Sequence, residues 1–126
     1  MPVYNPPLRD MQFVMHEVLN VTAEFQGMPQ HAEVDADTIN AVLEEAGKFA
    51  SEVIFPLNIS GDTEGCKLDQ KTHEVTTPKG FKEAYKTYVD GGWAALSCDP
   101  EFGGQGLPLV VNQCLYEMMN SANQAW

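Results

Sequence analysis

Apolar side chains recur at three- and four-residue steps in four stretches of this chain, each bounded by glycine, proline or a carboxylate able to cap a helix. That period is the mark of an amphipathic helix, so the chain must bury helical faces against one another. Between Asp10 and Phe25, the residues Met11, Val14, Met15, Val18, Leu19, Thr22 and Phe25 fall on one such stripe. A second helix starts near Asp37, whose carboxylate can take up a first-turn amide, and runs through Ile39, Val42, Leu43, Ala46, Phe49, Ala50 and Val53 to a stop at Pro56. Its outer face carries Glu44, Glu45, Lys48 and Glu52, with Glu44 and Lys48 in the favoured i,i+4 orientation.

From Leu57 to Thr77 the helical period lapses, which predicts a long irregular connection with a short hairpin between Lys67-Leu68 and Glu74-Val75. Thr77-Pro78 reads as a cap followed by a first-turn proline, and Phe81, Ala84, Tyr85 and Tyr88 give a third stripe that Gly91-Gly92 closes. Pro108 opens a fourth helix with Leu109, Val111, Leu115, Met118, Met119 and Ala122 apolar. No stop signal precedes Trp126, so this helix is expected to run to the end of the sequence and the 126 residues to be part of a longer protein. The expected fold is all-α: an up-and-down bundle of about four main helices with one long irregular connection, spanning 1–126 as an amino-terminal domain.

Composition limits the partners. Seven basic against 18 acidic side chains give a net charge of −11, which repels nucleic acid and anionic lipid. No apolar run approaches the roughly 18 residues of a membrane span, and the amino terminus lacks the basic-then-apolar pattern of an export signal. Cys66, Cys98 and Cys114 are odd in number and widely spaced, which fits a reduced, cytoplasmic setting better than a disulfide framework or a zinc site.

Catalytic motifs fail when tested against their chemistry. His16-Glu17 begins like a zinc-protease H-E-x-x-H, but position 20 is Asn, so the second imidazole is absent and His16 is expected on the surface. His31 and His73 fall in loops and are expected exposed. Asp62, Glu64 and Asp69 do not follow the EF-hand pattern, and adjacent Glu44 and Glu45 point about 100° apart on a helix. Gly103-Gly104-Gln105-Gly106 matches neither the dinucleotide-binding loop nor the P-loop, and no Lys or Arg follows Tyr88 to hold a phosphate. It is expected to be a structural corner between the third and fourth helices, with Trp93 and Phe102 as apolar anchors.

The stretch Gly92-Trp93, Pro100-Glu101-Phe102-Gly103-Gly104 and Gly106, with Glu117 downstream, resembles the amino-terminal helical domain of acyl-CoA dehydrogenases. Segments at Tyr4 ("YNPPLRDMQFVMHEVLN"), Phe55 ("FPLNISGDTEGC") and Thr77 ("TPKGFKEAY") are similar to the longer branch of that family, so the resemblance covers essentially the whole chain. It implies a parent flavoenzyme that uses FAD to convert an acyl-CoA into a trans-2-enoyl-CoA, passes electrons to electron-transfer flavoprotein and forms a homo-oligomer. In the family a middle β-domain supplies most flavin contacts and a carboxyl-terminal helical domain supplies the base; neither falls within 1–126. No catalytic, cofactor-binding or metal-binding residue is therefore expected here. By the same resemblance Ala122, Asn123, Ala125 and Trp126 would line the acyl pocket, with interhelical core as their alternative role.

The rival reading is a self-contained helical interaction module without enzymatic activity. If the parent covers one side of the bundle, Met118, Met119, Trp126 and part of helix one are expected to be uncovered here, and the chain to dimerise or aggregate.

Overall fold

A computed structural model describes residues 2–126 and shows a mostly α-helical chain. The first helical region is α1 (Leu8–Gln12) running into a π-helical stretch, Phe13–Val18. It breaks at Asn20, whose φ is +48°, and resumes as α2 (Val21–Gln26). The expected single stripe is thus split. Met11, Met15, Val21 and Phe25 are buried, whereas Phe13, Val14, Val18 and Leu19 lie exposed. The wider π turn, in which the Leu19 amide donates to the Val14 carbonyl, rotates the following residues off the 3.6-residue wheel.

Helix α3 (Ala36–Lys48) continues as a second π stretch, Phe49–Ile54. Its cap is Asp35, two residues earlier than expected: the Asp35 carboxylate accepts from the Thr38 amide at 2.7 Å, with Asp35 itself extended. Lys48 pairs with Glu45 rather than with Glu44.

The long connection is not irregular throughout. Helix α4 (Leu57–Glu64) follows Pro56, which starts this helix instead of only ending the previous one. Gly61 sits inside it for a packing reason: a Cβ there would fall 2.6 Å from two ring carbons of Phe81. A two-stranded antiparallel hairpin follows, β1 (Lys67–Leu68) and β2 (Val75–Thr76), pairing Lys67 with Thr76 and Leu68 with Val75. The second strand lies one residue later than expected.

Helix α5 (Phe81–Asp90) is preceded by Gly80, so the Thr77-Pro78 cap is not formed. Short 3-10 turns at Trp93–Ala95 and Pro100–Phe102 lead to α6 (Leu109–Ala122). The core lies where α6 packs on α3 and its π extension, with α1 against α3. Ile39, Leu43, Ile54, Val111, Leu115 and Met118 fill it, each essentially inaccessible to water. Met118 is therefore not part of an uncovered face, while the exposure expected for part of helix one is observed.

Among the described residues, no helix is long and apolar enough to cross a membrane, and no group of three or more His, Cys, Asp or Glu could hold a metal ion.

Candidate functional site

The glycine-rich segment between α5 and α6 is a stapled corner. The Gln105, Gly106 and Leu107 amides donate to the Ala95, Cys98 and Leu96 carbonyls at 2.9 to 3.0 Å, and Gln105 Nε2 donates to the Gly92 carbonyl at 2.9 Å. At the tip, Asp99 accepts from the Glu101 amide at 2.8 Å, and Gly103 turns the chain with a φ of +84° that disfavours any side chain. Gly104 answers a different need: a Cβ there would overlap the Cys98 backbone. Trp93 anchors the corner, its ring stacked on Phe49 with centroids 6.3 Å apart. Phe102 does not; it is 83% exposed at the tip.

This corner fixes where α6 begins, and Asn123 fixes how it ends. The helix stops at Ala122, and Asn123, 4% exposed, leaves it in an extended conformation. Its Oδ1 accepts from the Ala125 and Trp126 amides, both at 3.2 Å, and its Nδ2 donates to the Ile54 carbonyl at 3.4 Å. The chain end thereby folds back onto α5. The Trp126 indole N–H donates to the Phe81 carbonyl at 3.2 Å, and its ring meets Tyr88 edge-on with centroids 5.6 Å apart.

The four residues assigned to a pocket wall do not share one surface. Ala122 is wholly inside the core, Asn123 is buried as a linchpin, Ala125 is exposed, and Trp126 lines a groove of about 290 Å³ with Thr77, Phe81, Lys82 and Tyr85. Those last four partners were not legible as a site in the sequence. Tyr85 falls on the apolar stripe of its helix yet is 59% exposed, and Lys82 reads as an ordinary surface charge.

A second groove, of about 250 Å³, runs between α1 with its π extension and α6; Met11, Val14, Met15, Leu19, Val110 and Cys114 form its apolar walls. Burial holds the Cys114 thiol above its usual range and the Glu117 carboxylate adds to the effect, so the sulfur is a protonated wall group, 3.7 Å from Met15 Sδ. Burial likewise raises the Tyr88 phenol. The histidines are placed unlike one another. His16 is half-buried, its Nε2 2.8 Å from Asn40 Oδ1, which ties the first helical region to α3. His31 is half-buried against Phe25, contrary to the expected exposed loop histidine, while His73 is exposed.

Chemically, these surfaces offer aromatic and aliphatic walls, one lysine in the first groove, and a protonated thiol with the Asp10 and Glu117 carboxylates in the second. That set can shape and orient an apolar ligand.

No family model matches the chain. Three curated proteins do. It is 40% identical over 123 residues, 98% of the chain, to 3-methylmercaptopropionyl-CoA dehydrogenase of Ruegeria pomeroyi. It is 31% identical over 122 residues to the broad-specificity linear acyl-CoA dehydrogenase FadE5 of Mycobacterium tuberculosis, and 30% identical over 117 residues to butyryl-CoA dehydrogenase of Syntrophomonas wolfei. The chain spans only about a fifth of the length of these relatives, 20%, 20% and 19% respectively. The resemblance to the acyl-CoA dehydrogenase family is borne out, at the extent an amino-terminal domain of that family would occupy.

Proposed function

We propose that the chain is the amino-terminal helical domain of an FAD-dependent acyl-CoA dehydrogenase, and that its part in the reaction is to help wall the acyl pocket. The observation that supports this reading is the 40% identity running along 98% of the chain but along only 20% of the relative. In this reading the domain by itself does not turn over a thioester. Removing a weakly acidic α proton needs a positioned base, and taking the β hydrogen as hydride needs a flavin, which supplies that chemistry when bound.

The groove at the end of α6 does not fit the flavin itself. It is about 290 Å³, smaller than a dinucleotide requires, with walls that are mostly aromatic. What the chain's own residues do is hold the Trp126 ring at a defined place through Asn123 and the Phe81 carbonyl. Trp126, with Ala125 beside it, is then the part of the α6 exit able to face an acyl chain, while Ala122 and Asn123 act by setting its position.

The test is the reading frame past Trp126. An extended protein purified from that frame should absorb near 450 nm and bleach on addition of an acyl-CoA, with the 126-residue chain colourless. A frame that stops at Trp126, or a colourless extended protein that does not recover FAD on reconstitution, would overturn the assignment in favour of an interaction module.

A further inference from the structure

Three sulfur-bearing side chains line the groove between α6 and the first helical region. Met11 and Met15 stand four positions apart on one side of it, both buried, and Cys114 faces the same groove from α6. The Cys114 thiol donates to Met15 Sδ at 3.7 Å, a contact between residues 99 positions apart that only the packing of the two helices creates. Asp10 and Glu117 add two carboxylates to the lining, which includes no Lys or Arg.

This donor set discriminates among ions. Thioethers and thiols are soft ligands that select cuprous copper, whereas magnesium and calcium demand oxygen. Zinc takes four ligands drawn mainly from Cys, His, Asp and Glu, and no group of even three such residues is placed to hold an ion among the described residues. With metal–sulfur bonds of about 2.3 Å, two sulfurs 3.7 Å apart subtend about 107° at a shared ion, close to the tetrahedral angle. Charge points the same way. One thiolate neutralises one monovalent cation, so the complex leaves no net charge among the apolar walls, while a divalent ion would leave one uncompensated by sulfur.

We propose that Met11, Met15 and Cys114 form a three-sulfur site for one cuprous ion. On binding, the Cys114 S–H bond breaks and its proton passes to water, the ion takes the proton's place between Sγ and Met15 Sδ, and Met11 Sδ gives the third bond. No electron changes hands, and copper stays in its monovalent state. The inference does not rest on the dehydrogenase reading and uses none of the residues assigned to the acyl pocket.

The test starts from the 126-residue chain carrying Cys66→Ser and Cys98→Ser, which removes the two exposed thiols and leaves Cys114 as the only one. Titrated with Cu(I) under argon against a colorimetric Cu(I) chelator, this chain should retain one ion. Copper X-ray absorption should show sulfur neighbours at about 2.3 Å and no oxygen or nitrogen shell. Met11→Leu and Met15→Leu conserve volume and remove only the thioether, so each should weaken binding at least tenfold, with circular dichroism confirming the fold. Cys114→Ala should abolish retention. A starting chain that retains no ion would overturn the proposal. So would leucine variants that bind as tightly as that chain, which would mean that the thiol binds alone, or Zn(II) displacing Cu(I) from an equimolar mixture, which would assign the groove to the Asp10 and Glu117 oxygens.

Discussion

Replacing Asn123 by alanine removes three hydrogen bonds at once and leaves the Ile54 carbonyl and two amides of the chain end to find other partners. A neutral hydrogen bond contributes about 0.5 to 1.5 kcal/mol net. At 3.2 to 3.4 Å these three are long, so the low end applies and the sum comes to about 1.5 kcal/mol. With an unfolding entropy of about 2.1 cal/mol/K per residue, that loss lowers Tm by about 6 °C. The indole of Trp126 should become more mobile at the same time, since its amide partner is gone and only the Phe81 carbonyl and the ring contacts to Phe49, Tyr85 and Tyr88 remain. Thermal melts followed by circular dichroism measure the first effect and tryptophan emission, shifting to longer wavelength, the second. Gln124→Ala, one residue on and exposed, should change Tm by less than about 2 °C, within the usual range for surface substitutions. An Asn123→Ala protein that melts with the Gln124→Ala protein would refute the view that Asn123 holds the end of α6 against the π stretch.

Gly104→Ala drives a methyl into the Cys98 backbone, which cannot step aside, and should destabilise by about 3 kcal/mol or more in denaturant titrations. Gly103→Ala meets no atom and violates only the left-handed backbone preference, so it should cost about 1 kcal/mol. Met118→Ala hollows the centre of the core and is expected to cost about 2 to 5 kcal/mol in the same assay. The alkaline side of the stability profile has contributions from Cys114 and Tyr88, both raised by burial, as is Tyr4. The folded state keeps those protons longer than the unfolded chain. Their contribution is therefore complete below the unfolded values and lost as pH rises through the folded ones, from about pH 8.5 for Cys114 and about pH 10 for Tyr88. Cys114→Ser should flatten the lower part of that decline and Tyr88→Phe the upper; parallel profiles for wild type and both variants would contradict it.

What the sequence conveyed of the fold, and what it hid, both follow from helix geometry. Helices α3, α5 and α6 keep the 3.6-residue wheel over most of their length, so Leu43, Tyr88 and Leu115 were readable as core positions. The first helical region did not yield because a π turn and the left-handed Asn20 shift the wheel midway, and one stripe drawn through both halves mixes buried Met15 with exposed Val18. Helix α4 was hidden by its own punctuation. Proline and glycine usually end helices, but Pro56 stands before its first turn and Gly61 is the residue that lets the Phe81 ring approach. That contact lies between segments 20 positions apart, and no local pattern records it.

The candidate site divides along the same line. The corner at Gly92 to Gly106 could be read as a turn because glycine and proline report backbone needs directly. The exit from α6 could not, because Ala122-Asn123-Gln124-Ala125 has the composition of a continuing helix, and the stop comes from where the Asn123 side chain finds the Ile54 carbonyl. This bears on how the domain could influence an acyl substrate. If only Trp126 and Ala125 can face it, then chain-length preference should respond to the size of residue 126, whereas changes at Ala122 should register first as lost stability, since a larger side chain there has no space to enter. A Trp126→Ala protein carrying the full reading frame, assayed on a series of acyl-CoA lengths, would separate the two. A shift in preference with Tm held within a few degrees assigns the ring to the pocket, and an unchanged preference with a lowered Tm assigns it to the aromatic cluster of α5 alone.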